Sequence, residues 1–141
     1  MEPKEIDPDI AEFARSVSQL IRRLRAAADA QDLSWTQSAV MARLDRVGPM
    51  TTADLARAEG VKPQSMGAIV FALEELGIVE RQPHPTDGRQ VNIRLTDKGS
   101  ALRQSMRDTK LTWLAGAFEK LSDAEREVLF AAGKIIKRLA A

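Results

Sequence analysis

The residues best suited to chemistry lie between Lys62 and Gln90. Lys62 is a cation directly before Pro63, and Gln64 and Ser65 follow with hydrogen-bonding side chains. A glutamine amide can both donate to and accept from a base edge, and a serine hydroxyl can bond a base or a phosphate. Gly67 and Ala68 keep the surface low, and the Ala68 methyl suits contact with a thymine methyl. Further on comes the polar run Pro85-Thr86-Asp87-Gly88-Arg89-Gln90. A guanidinium on such a slender loop suits a narrow, electronegative groove. These types, in this order, suit reading a polyanion better than making or breaking bonds.

Catalytic chemistry finds little support. The chain has no cysteine and a single histidine, His84. That excludes disulfides, thiolate zinc sites, a cysteine nucleophile and thiol redox sensing. It also leaves a His-rich metal cage or a multi-His centre without ligands. No nucleophile–base–orienter set, phosphate loop or metal-ligand spacing is visible, so neither an enzyme nor a cofactor is expected. Several candidates have plainer readings. Gln64 and Ser65 also fit exposed first-turn residues of a scaffold helix. His84, between Pro83 and Pro85, fits an exposed loop residue or a backbone contact to DNA better than a metal ligand or pH sensor. Arg81 fits a DNA-backbone contact and a salt bridge within the hairpin equally well. Trp35 and Trp113 fit core or interface anchors better than the lining of a small-molecule pocket.

The elements that must position these residues follow from periodicity. Ile10, Phe13, Val17, Leu20, Ile21 and Leu24 recur at helical spacing after Pro8, which predicts a first amphipathic helix. Residues 26–33 lack a stripe and read as a loop. Thr36 is the expected cap of a second helix, with Trp35 and Val40 as a hydrophobic staple and Gly48-Pro49 as its end. Thr51, with Asp54 three residues on, predicts a short third helix that buries Leu55 and Ala56 and closes at Gly60. Pro63 opens a fourth, with Met66, Ile69, Val70, Leu73 and Leu76 as its buried side and Gly77 as its stop. The period then changes. Residues 78–81 read as a strand, and Val91, Ile93 and Leu95 alternate with Asn92 and Arg94 as a second, half-buried one. Thr96 caps a long fifth helix marked by Leu102, Met106, Leu111, Leu114 and Phe118. Ser122 with Glu125 is a capping box for the last, whose stripe is Val128, Leu129, Ala132, Ile135, Ile136 and Leu139.

Helix, tight turn, helix and hairpin is the order of a winged helix-turn-helix. The segments that carry it, LeuGluGluLeuGlyIleValGluArg at 73–81, AspGlyArg at 87–89 and LeuThrAspLysGly at 95–99, resemble the MarR family of transcriptional regulators. The resemblance implies a mainly α fold with a small β-hairpin, dimerised through its N- and C-terminal helices. It implies one domain over 1–141, with 34–95 as the DNA-binding core and 5–30 and 97–141 as dimerisation helices. Gln64, Ser65 and Met66 would lie on the recognition helix, with Met66 better explained as core. Asp87 and Arg89 would be the wing pair, Arg89 reaching DNA and Asp87 steadying the wing. The expected DNA-binding set is Lys62, Gln64, Ser65, Ala68, Arg81, His84, Thr86, Asp87, Arg89 and Gln90. The expected partners are a palindromic double-stranded operator, a second copy of the chain and a small phenolic or aromatic effector.

Composition bounds the reading. The chain has 141 residues, 44% hydrophobic and 29% charged, the balance of one globular domain. The net charge is only +1, from 21 Lys and Arg against 20 Asp and Glu, so any affinity for DNA must come from local positive charge. Residues 60–98 hold five bases (Lys62, Arg81, Arg89, Arg94, Lys98) and five acids (Glu74, Glu75, Glu80, Asp87, Asp97), which keeps a protein-interaction module without DNA as the alternative. Aromatic residues are 4% of the chain, too few for a base-stacking platform. No apolar run nears the ~20 residues of a membrane span. The opening Met1-Glu2-Pro3-Lys4-Glu5 is acidic where a signal peptide is basic. A cytoplasmic protein with no membrane partner is expected.

Overall fold

The computed structural model describes residues 4–28 and 32–141. Residues 1–3 of the acidic opening, and 29–31 of the loop expected after the first helix, lie outside them. The elements in chain order are α1 (Pro8–Ala28), α2 (Trp35–Val47), β1 (Met50–Thr51), α3 (Thr52–Glu59) and α4 (Pro63–Glu75). They continue as β2 (Val79–Pro83), β3 (Val91–Leu95), α5 (Asp97–Glu119) and α6 (Asp123–Ala140). The chain divides into two compact units, Asp29–Arg107 and Met1–Ala28 with Asp108–Ala141.

The first unit is built on local caps and one apolar core. The cap of α2 is Ser34, not Thr36. Ser34 Oγ accepts from the Gln37 N–H at 3.1 Å, and Gln37 Oε1 accepts from the Ser34 N–H at 2.8 Å. Three residues beyond Thr36 stands Ala39, which has nothing to return to the cap, so the reciprocal box selects Ser34. Trp35 therefore becomes the first helical residue, 56% exposed, and forms no staple. Thr51 caps α3 by accepting from the Asp54 N–H at 3.1 Å. The Asp54 carboxylate pairs with Arg57 instead of closing the box. Gly60, at φ 67°, ends the helix in the left-handed region that glycine tolerates. Arg43 of α2 reaches Glu59 of α3 at 2.6 Å and ties the two helices.

Val40, Met41, Leu55, Met66, Val70, Leu73 and Ile93 are fully buried, so α2, α3, α4 and the sheet share one core. Leu76, expected on the buried side of α4, is 45% exposed because the helix ends at Glu75 and its stripe with it. The sheet has the order β1-β3-β2, both pairings antiparallel. Strand β1 was not expected, since two residues cannot display a period. It changes the exposure of β3. Asn92 lies between Thr51 and Gln82 in the middle of the sheet and is only 8% exposed. Val91, at the end β1 does not reach, is 43% exposed, against the expected alternation. Strand β2 begins at Val79, one residue late, because Ile78 is held in the turn before it.

That turn joins α4, β2 and the start of α5. The Thr96 N–H donates to the Ile78 carbonyl at 3.0 Å, and the Thr96 hydroxyl donates to the Gly77 carbonyl at 2.6 Å. Thr96 Oγ1 also caps α5 by accepting from the Gly99 N–H at 3.0 Å. Lys98 Nζ donates to the Leu76 carbonyl at 2.8 Å. Gly99 presses so close that a Cβ there would lie 2.0 Å from the Ile78 carbonyl oxygen.

In the second unit, the Ser122–Glu125 capping box forms as its spacing predicts. Hydrogen bonds from the Ser122 backbone and hydroxyl lower the Glu125 pKa. The cap is therefore strongest above the ordinary glutamate range and is lost as pH falls through the lowered value. Arg126 donates to the α5 carbonyls of Phe118 at 2.8 Å and Glu119 at 3.1 Å, satisfying acceptors that a helix end leaves open. The Phe118 and Phe130 rings lie 5.4 Å apart, and the Arg23 guanidinium lies 5.7 Å from the Trp113 ring centre. No residue of α6 is buried, and Val128, Leu129, Ile135, Ile136 and Leu139 stay exposed, as do Ile10, Phe13, Leu20 and Ile21 of α1.

Two glycines give opposite expectations. Gly99→Ala should destabilise the protein by about 1–3 kcal/mol, since the new methyl meets rigid backbone. Gly67→Ala, on α4 with nothing within 4 Å of its would-be Cβ, should stabilise by roughly 0.5–1 kcal/mol through helix propensity. Urea unfolding of both variants beside the wild type is the check. Equal effects of the same sign would refute the close approach.

Candidate nucleic-acid interface

Helix α4 presents its first turn to solvent for a definable reason. Pro63 occupies the first helical position, and Lys62 caps the helix by backbone conformation alone, with no side-chain bond to the free N–H groups. Those donors and the positive end of the helix dipole therefore face outward. Met66, Val70 and Leu73 anchor the opposite side, which settles Met66 as core. That rotation leaves Lys62, Gln64, Ser65 and Ala68 all exposed. Gly67 is half-buried with open space where a side chain would stand.

The hairpin tip is organised by His84, a role the sequence did not reveal. His84 is half-buried, and its Nδ1 accepts from the Thr86 N–H at 3.2 Å and the Asp87 N–H at 3.1 Å. Accepting at Nδ1 puts the proton of the neutral ring on Nε2. Asp87 Oδ1 in turn accepts from the Arg89 N–H at 3.0 Å, and the Gln90 N–H donates to the Asp87 carbonyl at 3.0 Å. The His84 N–H closes the loop on the Gln90 carbonyl at 3.2 Å. Two side chains thus hold the backbone of a loop that has few partners of its own. Thr86, Arg89 and Gln90 project from it exposed. Gln90 also borders a groove beside the start of α3, lined with Thr51, Thr52 and Arg57.

Arg81 lies elsewhere. Its Nε sits 3.2 Å from both carboxylate oxygens of Glu74, so its salt bridge runs to α4 rather than within the hairpin. Arg94 pairs with Glu80 across β2 and β3 at 3.3 Å, and Lys98 holds the Leu76 carbonyl. Of the five bases in residues 60–98, Lys62 and Arg89 have side chains with no hydrogen bond or ion pair among the described residues. A segment neutral on paper therefore keeps its uncommitted positive charge at the start of α4 and the tip of the hairpin.

One residue of this surface escaped the sequence reading. Phe71 is 58% exposed on α4. It follows Gln64 by seven and Ala68 by three, which places all three on one helix face. That spacing was visible, but an apolar residue near a buried stripe reads as core until the helix is rotated into place.

The arrangement agrees with known proteins. The sequence model of the MarR family matches residues 33–91. An HTH-type transcriptional regulator of Mycobacterium tuberculosis (strain CDC 1551 / Oshkosh) is 33% identical over 129 residues, covering 92% of this chain and 90% of the relative. A Pseudomonas aeruginosa protein solved as a candidate transcriptional regulator superposes with a TM-score of 0.85 at 32% identity, covering 98% of both chains. Wild-type MarR from E. coli, in its apo form, shares the fold with a TM-score of 0.74 at 22% identity, covering 94% of this chain and 98% of that one. No helix among the described residues is long and apolar enough to cross a membrane. The family pattern across the helix-turn-helix and hairpin, joined to a relative matched along nearly the whole length, means that this chain belongs to the MarR family of winged helix-turn-helix transcriptional regulators.

Proposed function

We propose that this protein is a cytoplasmic, effector-responsive repressor that binds palindromic double-stranded DNA as a homodimer. The observation that carries the reading is the placement of the two uncommitted cations, Lys62 at the start of α4 and Arg89 at the hairpin tip. In this reading α4 lies in the major groove, with Gln64 on a base edge and Ser65 on a base or phosphate. Lys62 meets the phosphate backbone, and Arg89 enters the adjacent minor groove on a loop that Asp87 steadies. His84 acts through the loop backbone, and Thr86 and Gln90 flank the arginine. Arg81 is the weakest member of the set, because Glu74 already neutralises it. A small phenolic or aromatic effector remains the expected inducer, by family resemblance.

The homodimer rests on the exposed apolar stripes of α1 and α6. Leaving them in water would give a patch larger than monomers tolerate, and a second copy of the same surface covers it in a closed two-fold arrangement. The recognition helices would then sit roughly 34 Å apart, one DNA turn.

A gel shift on the protein's own upstream region, repeated at rising salt, tests the DNA reading. Arg89→Ala should weaken binding without changing the melting temperature, and should flatten the log–log salt slope by about 0.9 if it touches one phosphate. Gln64→Ala should relax preference at one operator position at a cost of ~1–3 kcal/mol there, while Lys62→Ala weakens specific and random duplexes alike. Unchanged affinity and slope for Arg89→Ala would refute the wing assignment.

Sedimentation tests the assembly. The wild type should be a dimer at micromolar concentration. Ile135→Glu or Leu139→Glu should dissociate it and abolish specific binding together. A monomeric wild type that still binds a palindrome tightly would refute the symmetry.

A further inference from the structure

The outward face of α4 carries no charge from Pro63 to Ala72, which is unusual for a surface read as lying against a polyanion. Its exposed members are Pro63, Gln64, Ser65, Ala68 and Phe71. Gln64, Ala68 and Phe71 run along one line at steps of four and three, over about 10 Å of helix. Glu75 continues the line with an exposed carboxylate, which marks where contact with phosphate must stop. At 58% exposure, the Phe71 ring leaves apolar surface in water in the free protein, which costs free energy. The apolar feature that the major groove offers is the thymine C5 methyl, and alanine and phenylalanine side chains are the types that meet it.

We propose that Phe71, with Ala68, reads thymine methyl groups in the major groove and so directs this protein to sites with thymines at fixed positions in each half-site. The proposal rests on the DNA-binding reading above and deepens it. In this arrangement Gln64 supplies the one bidentate hydrogen bond, and Phe71 with Ala68 supplies the apolar part of the specificity. Removing a methyl from DNA, rather than an atom from the protein, therefore isolates the contact.

The test begins with a duplex selected from a random pool by the wild-type dimer. Each thymine is then replaced singly by deoxyuridine, which lacks only the methyl. At one or more half-site positions the wild type should lose about fourfold in affinity, the scale of one buried methyl group. Phe71→Ala should bind the thymine duplex more weakly and be indifferent to uracil at the same position. Phe71→Leu, which keeps an apolar contact, should retain part of the discrimination and serves if the alanine variant does not fold. Melting temperatures should match the wild type, because the side chain is exposed. A wild type that selects a duplex but is indifferent to every uracil overturns the methyl reading and leaves the regulator reading standing. Equal uracil sensitivity in wild type and both variants overturns the assignment to Phe71. Failure to select any duplex overturns both readings.

Discussion

A missing methyl group at position 99 governs how the winged unit is assembled. Because Gly99 has no Cβ, the first turn of α5 can lie directly on the Ile78 carbonyl. Thr96 and Lys98 then bind the carbonyls of Leu76, Gly77 and Ile78, all within the turn that ends α4. This joint fixes where β2 leaves α4 and where β3 returns to α5. With both ends of the hairpin pinned, the register from Val79–Leu95 to Pro83–Val91 follows, and with it the direction in which the tip projects. The segments at 73–81 and 95–99 that resemble the family are thus mostly joint-making residues.

Charge is arranged by commitment rather than by number. Arg81, Arg94 and Lys98 are engaged by Glu74, Glu80 and the Leu76 carbonyl, and each engagement supports the hairpin or its junction. Exposed ion pairs of this kind contribute little stability singly, but they remove cations from competition for an external anion. Lys62 and Arg89 keep their charge available because helix capping and the loop contacts at their positions use backbone and neighbouring side chains instead. A near-neutral chain can therefore carry a local positive footprint, which its net charge of +1 conceals.

The hairpin tip shows how a short loop is kept in one shape without a core. His84 Nδ1 gathers two backbone N–H groups, and Asp87 gathers a third. Each side chain replaces a ladder partner that the loop, beyond the last strand pair, cannot have. Arg89 is thereby presented from an ordered backbone, which lowers the entropy lost when it is immobilised by a partner.

What the sequence determined by itself was everything set by local periodicity and capping. The six helices, the hairpin, the Thr51 and Ser122 caps, the proline at the start of α4 and the wing motif are short-range patterns, and each is found where its residues place it. Tertiary structure decided what depends on residues far apart in the chain. The Ser34 cap, by contrast, was legible locally, since Gln37 three residues on can reciprocate and Ala39 beyond Thr36 cannot, whereas β1 exists because β3 offers Met50 and Thr51 an edge. The partner of Arg81 is a helix residue, which no pattern within the hairpin could indicate. The ring nitrogen of His84 turned inward because the loop had N–H groups to satisfy. Phe71 turned outward because Met66, Val70 and Leu73 together fix the rotation of α4, and one helix cannot bury both faces against a single core.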